Sequence, residues 1–461
     1  MASLFAKDQK KYSIKTEMKK FLNEKFSSLN VHALPNIVKT NHLSIKILWT
    51  MYFILSGGFC TYFMINTILN YFNYEITSKI NISYERMLSF PIVTICNVNP
   101  FATNYINQKL QFLFNTTSPS FQLFYLSKSL ANQMTDRNLN GPGIKDIIIY
   151  CQFSMVKCDL DADFEHYYDI NYGNCYRFNS GKNMNGTQVN QKYTFKSGQF
   201  GSLDIEFFIG SASENQNILS KLNGFVIFIT NYTLDSSYTE GIQISPGYST
   251  AISLNKYSIV KQPKPYSQCI DDLTNIDSYD SALFRKFFSL NQTYHYSNCE
   301  LLCFQKYLKN NCQCQTTLVD VVYDENMRKC SSRFDNIELD FGDYFCTTSS
   351  WLNFSQSFET MRECDCPLEC ETTAYTYQTS MCEYPTQNYV KYLAEFDLIK
   401  KKYAGVNKSS INYDDLRKKV AQVQIYFNEM KQTVINELPK TTIADLVSSI
   451  GGTFGLFLGI R

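Results

Sequence analysis

Cysteine placement constrains this chain more than any other feature. Of its sixteen cysteines, Cys60 lies inside an uncharged apolar run and the other fifteen fall between Cys96 and Cys382. Cytosolic thiols stay reduced, so a dense, ordered array reads as a disulfide framework in an extracellular or lumenal domain. Seven N-x-S/T sequons obey the same partition: they begin at Asn81, Asn115, Asn185, Asn231, Asn291, Asn353 and Asn407, with none in the first eighty residues. One sequon alone is weak; their common side of a single boundary carries the inference.

That boundary reads as a membrane span. No charged residue occurs from Ile47 to Tyr74, and a helix of that length reaches ~42 Å, enough to cross a ~30 Å hydrocarbon core. Residues 1–46 hold nine Lys/Arg against three Asp/Glu, and Trp49 and Tyr52 stand at the entry. The positive-inside rule therefore puts residues 1–46 in the cytosol and the bulk of the chain outside, in a plasma-membrane protein surrounded by lipid. Ser56, Gly57 and Gly58 sit mid-span, where small side chains would let another helix approach; a simple anchor is equally compatible. Residues 75–440 then form one extracellular disulfide-rich domain, and 441–461 the start of a second span.

A net charge of +1 with 18% charged residues gives no electrostatic footprint for nucleic acid, while 44% hydrophobic and 15% aromatic content supplies a core. Strand-like runs at Gly201–Ile209, Gly224–Thr230 and Ser249–Val260 predict an α+β membrane protein with a mixed α/β ectodomain around a β core. No G-x-S-x-G, P-loop or H-E-x-x-H occurs, so nothing points to an enzyme or calls for a cofactor.

Cysteine spacing suggests local geometry. Cys299 and Cys303 lie at i, i+4 in a helical pattern, on one face about 6 Å apart. Cys364 and Cys366 lie at i, i+2 before Pro367; an extended segment would put them on one face roughly 7 Å apart. A helix antiparallel to that strand can be riveted as Cys299–Cys366 and Cys303–Cys364, with zinc ligation as the rival for such clusters. Asp159, Asp161, Asp163 and Glu165 alternate beside Cys158. They read as a solvated acidic rim, with proton or calcium binding as the sharper alternative; Phe164 and Ile170 at the sixth and twelfth places exclude an EF-hand. His42, His166 and His295 form no cluster.

Several segments resemble the degenerin/epithelial sodium channel family, which includes acid-sensing and FMRFamide-gated channels. F-P-I-V-T-I-C-N-V-N-P-F (Phe90–Phe101), G-N-C-Y-R-F-N-S-G (Gly173–Gly181), S-P-G-Y (Ser245–Tyr248), the C-x₃-C-x₈-C-x-C run (Cys299–Cys314), C-D-C-P-L-E-C (Cys364–Cys370) and S-I-G-G-T-F-G-L-F-L-G (Ser449–Gly459) stand in the family's order. The resemblance implies a homo- or heterotrimeric, amiloride-sensitive sodium channel, gated by a ligand such as a peptide or protons, or mechanically. It also implies seven disulfides: Cys96–Cys175, Cys151–Cys158, Cys269–Cys370, Cys299–Cys366, Cys303–Cys364, Cys312–Cys346 and Cys314–Cys330. Cys60 and Cys382 are left over, the latter expected as a quiet buried thiol. The hand-like ectodomain of the family implies a finger near 100–175, a β core through 176–285 and a thumb from about 286 to 370.

Gating positions carry over too. Tyr74, just outside the first span, is expected to touch Tyr266 at the thumb base. His32 keeps the histidine of a gating His-Gly pair, with Ala33 replacing glycine, and Ser448 matches a small-residue site above the filter. Gly451, Gly455 and Gly459 recur every four residues on one helical face, letting backbones of three subunits converge. The filter position reads Gly459-Ile460-Arg461 where the family has G-x-S, and fifteen uncharged residues from Leu446 to Ile460 span only roughly 22 Å. The expectation is therefore a form truncated at the selectivity filter. The alternatives are a non-conducting receptor or dominant-negative subunit, and a single-span cysteine-rich binding protein.

Overall fold

The structure is a computed structural model and describes residues 33–99, 141–169, 171–210, 222–231, 240–289, 294–316, 323–324, 326–330, 342–357, 363–405 and 411–459. In chain order its helices are α1 (Leu34–Lys39), α2 (Leu43–Phe72), α3 (Ile144–Ile147), α4 (Ala282–Ser289), α5 (Tyr296–Cys312), α6 (Gly342–Gln356), α7 (Gln387–Leu393), α8 (Asp397–Lys402), α9 (Tyr413–Arg417) and α10 (Ile443–Leu458). The strands are β1 (Ile76–Tyr84), β2 (Leu88–Ser89), β3 (Ile92–Asn97), β4 (Ile148–Phe153), β5 (Val156–Lys157), β6 (Phe164–Asp169), β7 (Gly173–Phe178), β8 (Tyr193–Thr194), β9 (Leu203–Phe208), β10 (Phe225–Thr230), β11 (Ile242–Ile244), β12 (Tyr248–Val260), β13 (Glu371–Glu383) and β14 (Val420–Pro439). Two compact units emerge: Met1–Lys79, Lys264–Ser267 and Glu437–Arg461 form one, and Ile80–Pro263 with Gln268–Asn436 the other.

The first unit is helical. α2 has 30 residues, about 45 Å of helix, and among the described residues it is the one helix long and apolar enough to cross a membrane. It begins before the uncharged run, because Lys46 joins its first turn by donating to the His42 carbonyl. It ends at Phe72, because Tyr74 turns left-handed at φ 49°. Leu48, Ile54 and Leu55 are 65%, 65% and 58% exposed. Apolar side chains face outward here because hydrocarbon, not water, is the solvent of such a helix.

Sheets build the second unit. The larger runs β13-β12-β14-β9-β4-β5 with β1 on β14, and a five-stranded sheet runs β11-β10-β3-β7-β6. β12 pairs antiparallel with β13 from Tyr248↔Glu383 to Val260↔Glu371, and parallel with β14. Alternation explains which faces close: in L-D-I-E-F-F of β9, Leu203, Ile205 and Phe207 are fully buried on one side. They join Val93 and Ile95, Phe178, Phe225 and Ile227, and Val423 and Phe427 in one core drawn from both sheets. Fully burying each such side chain is worth about 1.5–3 kcal/mol.

A second core lies among α4, α5 and α6, around Phe284, Phe287, Leu302, Phe304 and Phe354. The Phe304 ring meets Trp351 edge-on at 4.7 Å. Beside α7–α9, Tyr384, Val390, Leu393, Ile399 and Leu416 form a third, smaller cluster.

Two expectations need correction. The β core is not confined to 176–285: β3, β4 and β6 come from before it, β7 straddles its start, and β13 and β14 come from after it, since strands whose partners are remote in sequence carry no local sign of pairing. The Cys364–Cys366 segment is a turn rather than a strand. Asp365 sits left-handed at φ 48°, a conformation Asp tolerates, with its carboxylate accepting the Tyr279 hydroxyl at 2.8 Å.

Candidate functional site: a two-helix membrane unit

α2 and α10 meet along a narrow seam. The buried residues of α2 are Ser56 and Cys60, one turn apart. Ser56 Oγ donates to the Phe457 carbonyl of α10, and the Phe457 ring stacks on Phe59 at 6.5 Å and Phe63 at 5.6 Å. Of the three small mid-span residues, Ser56 is the one that meets α10, and nothing in this chain lies within 4 Å of a Cβ placed on Gly57 or Gly58. Phe59 and Phe63 offer aromatic surface to Phe457; glycines offer none.

α10 starts on a capping box. Thr442 Oγ1 accepts the Asp445 N–H at 3.1 Å while the Asp445 carboxylate accepts the Thr442 N–H at 3.0 Å. Just outside the apolar segments, Lys440 Nζ lies 2.5 Å from Glu75 Oε2, and its N–H donates to the Glu75 carbonyl at 2.9 Å. Ser448 is exposed. Gly451 meets nothing within 4 Å, Gly455 is half-buried, and Gly459 ends the helix left-handed at φ 68° with its N–H returned to the Gly455 carbonyl. Ile460 and Arg461 lie outside the described residues, as does His32. Ala33 is right-handed at φ −89°, so alanine there gives up no conformation that glycine alone could supply. Tyr74 and Tyr266 meet edge to face at 5.4 Å and 83°.

Seven disulfides close the ectodomain: Cys96–Cys175, Cys151–Cys158, Cys269–Cys370, Cys299–Cys366, Cys303–Cys364, Cys312–Cys346 and Cys314–Cys330. The Cys299–Cys366 and Cys303–Cys364 rungs have Cα separations of 5.9 and 5.5 Å, and disulfide-bonded sulfurs are not zinc ligands. Cys60 is buried and Cys382 exposed. The expectation of a buried Cys382 is corrected: β13 is exposed from Gln378 to Glu383. Asn81, Asn185, Asn231 and Asn353 are exposed; Asn115, Asn291 and Asn407 lie outside the described residues.

The acidic run proves to be paired. Asp161 meets Lys145 at 2.7 Å, Asp163 meets Lys192 at 2.7 Å and Glu165 meets Lys182 at 3.8 Å. Asp159 accepts the N–H groups of Asp161 and Ala162 and so shapes its own turn. Among the described residues no three His, Cys, Asp or Glu side chains converge on a metal position.

Sequence reasoning missed a second acidic pair. Asp204 and Glu206 share the other face of β9 and are 8% and 3% exposed. Burial pushes both carboxyls above the usual range, although Gln422, Gln424 and Gln152 pull Asp204 back and the Tyr389 hydroxyl, 2.6 Å away, pulls Glu206 back. Alternation in L-D-I-E-F places both on one face; that Tyr384 and α7 cover it was not legible.

Comparison with known proteins fits this architecture. A family model described as "Amiloride-sensitive sodium channel" matches residues 26–460. The bile acid-sensitive ion channel of Homo sapiens is 25% identical over 96% of this chain and 84% of its own length. The FMRFamide-activated amiloride-sensitive sodium channel of Cornu aspersum is 22% identical over 94% and 80%, and acid-sensing ion channel 1 of Gallus gallus is 23% identical over 94% and 80%. A solved proton-activated chloride channel covers 89% of this chain and 93% of its own at 6% identity, with a TM-score of 0.33, too distant to inform the fold. With one long apolar helix, a shorter apolar helix, seven disulfides and a matching family model along nearly its whole length, the chain belongs to the degenerin/epithelial sodium channel family and is a channel subunit, not an enzyme.

Proposed function

We propose that this chain forms trimers, alone or with related subunits, around a sodium-selective, amiloride-sensitive pore in the plasma membrane. The observation that carries this reading is the open surface of α10 at Gly451 and Gly452. Its other side packs on Ser56, Phe59 and Phe63, while Gly451 meets nothing within 4 Å. A helix seam lined by small residues suits close approach of further helices, and three copies of α10 supply them.

Residues 1–46 lie in the cytosol in this reading, supported by their basic excess, and residues 75–440 outside, supported by the disulfides and by exposed Asn81, Asn185, Asn231 and Asn353. Gating runs through the ectodomain on binding of a peptide or protons, or under mechanical load. The Tyr74–Tyr266 pair, whose edge-to-face geometry is worth ~0.5–1.5 kcal/mol, serves as a joint that rearranges, and His32, Ala33 and Ser448 tune opening.

Voltage clamp of cells expressing the full-length protein tests the reading. The expected result is an inward current, elicited by acid, peptide or stretch, that disappears when sodium is replaced by a large organic cation and is blocked by amiloride. Surface-labelled protein that stays silent to all three stimuli would reject it.

A further inference from the structure

The second unit holds a cavity of about 320 Å³, at the small end of the range for ligand pockets. Elements remote in sequence close it: Asn97 ends β3, Ile147 ends α3, Phe208 ends β9 with Ile209 following, and Lys402 ends α8. Ile147 and Ile209 are buried and, with Phe208, give it an apolar wall.

Three charged side chains reach the cavity, and two of them are already matched. Asp146 is held by Lys401 at 3.0 Å. Lys419, only 7% exposed, meets Asp415 at 3.0 Å and stands 5.2 Å above the Tyr403 ring. Lys402 is the third. It is exposed, its Nζ lies 5.4 Å over the Phe208 ring, and it has no carboxylate partner among the described residues.

Asn97 supplies an independent sign of a ligand. Its side chain is 5% exposed, and Oδ1 accepts the Asn99 N–H at 2.8 Å. A backbone N–H can only donate, so this bond fixes the amide and leaves Nδ2, with two N–H groups, facing away from Asn99. Nδ2 has no acceptor among the described residues. A buried donor left unmade costs stability, and an acceptor held in the cavity would remove that cost.

We propose that this cavity binds a small apolar monocarboxylate, its carboxylate accepting from Lys402 Nζ and Asn97 Nδ2 and its body lying against Ile147, Phe208 and Ile209. Charge-assisted bonds fix the head, and the buried apolar wall favours a hydrocarbon body over a fully hydrated anion. A ligand there touches β3 of one sheet, β9 of the other and α8 at once.

Calorimetric titration of the full-length protein in detergent with phenylacetate tests this, with phenylacetamide and inorganic phosphate in parallel. Phenylacetate should bind saturably, and the uncharged amide and the phosphate each about tenfold more weakly. Lys402→Ala should weaken phenylacetate about tenfold, the loss of one hydrogen bond to a charged group. Asn97→Asp keeps the acceptor for the Asn99 N–H but replaces the donor with oxygen, and should abolish binding. Lys400→Ala, on α8 but off the cavity wall, should leave the affinity unchanged. Should Asn97→Asp fail to fold, exposed Lys402 decides. Equal binding of phenylacetate and phenylacetamide, an affinity indifferent to Lys402→Ala, or an equal loss in Lys400→Ala overturns the site. Binding is read without current, so failure here leaves the pore reading standing, and a silent pore leaves this site standing.

Discussion

The β core and the α4–α6 region solve the same problem by different means. The β core gathers twenty-seven buried residues among those described and carries two disulfides. The helical region gathers thirteen and carries or is bounded by five. Burial holds the first, and cross-links compensate for limited burial in the second. Apolar burial is non-directional and lets strands adjust, whereas sulfur bridges at 5.9 and 5.5 Å Cα separation fix α5 to the Cys364–Cys366 turn in one register. A helical body fixed in this way resists internal rearrangement.

The largest effect should come from the β core. Phe427, fully buried against Phe90 and Tyr375 at 6.1 and 6.3 Å, should cost about 3–5 kcal/mol on change to alanine, read as a fall in Tm and in surface protein. Next comes the Cys303→Ser, Cys364→Ser pair, at about 2–4 kcal/mol. Mild reduction should sharpen the contrast further: hydrogen exchange should rise in α5 and α6 and stay low in β9 and β10. Equal rises in both regions would break the distinction.

A smaller effect concerns Glu206. Its carboxyl is raised in the folded state by burial and, secondarily, by the nearby charge of Asp204, so the folded form holds its proton more tightly than the unfolded chain does. Stability from this group is fully present below the unfolded carboxylate range and is lost as pH rises through the folded value. Glu206→Gln keeps an acceptor for the Tyr389 hydroxyl, so it should raise Tm at pH 8 and change it little near pH 4. A Tm gain independent of pH would count against ionisation as the cause. Smallest is Lys145→Ala, which breaks an exposed pair with Asp161; its cost should stay below about 1 kcal/mol in thermal unfolding.

What was legible in the sequence follows from distance along the chain. The i, i+4 spacing of Cys299 and Cys303 is local, and α5 forms around it. Strand alternation is local as well, so β9, β10 and β12 fall inside the runs read from composition to within a residue or so. Partners are not local: neither the cover that Tyr384 and α7 lay over Glu206 nor the choice of Phe59 and Phe63 over Gly57 and Gly58 has a signature near those residues. The acidic run from Asp159 to Glu165 shows the converse, since its charges stand out in sequence while the lysines that pair with them, Lys145, Lys182 and Lys192, lie up to about thirty residues away.

Cross-linking at Gly451 tests most directly whether the free face of α10 meets copies of itself around the ion path. Gly451→Cys in a Cys382→Ser background, expressed as the full-length protein, should form inter-subunit disulfides under mild oxidation, with loss of amiloride-sensitive current that a reductant restores. Leu69→Cys, 56% exposed on α2, serves as the lipid-facing control and should stay monomeric with its current intact. Cross-linking at Leu69 while Gly451→Cys stays monomeric at the surface would contradict the central claim.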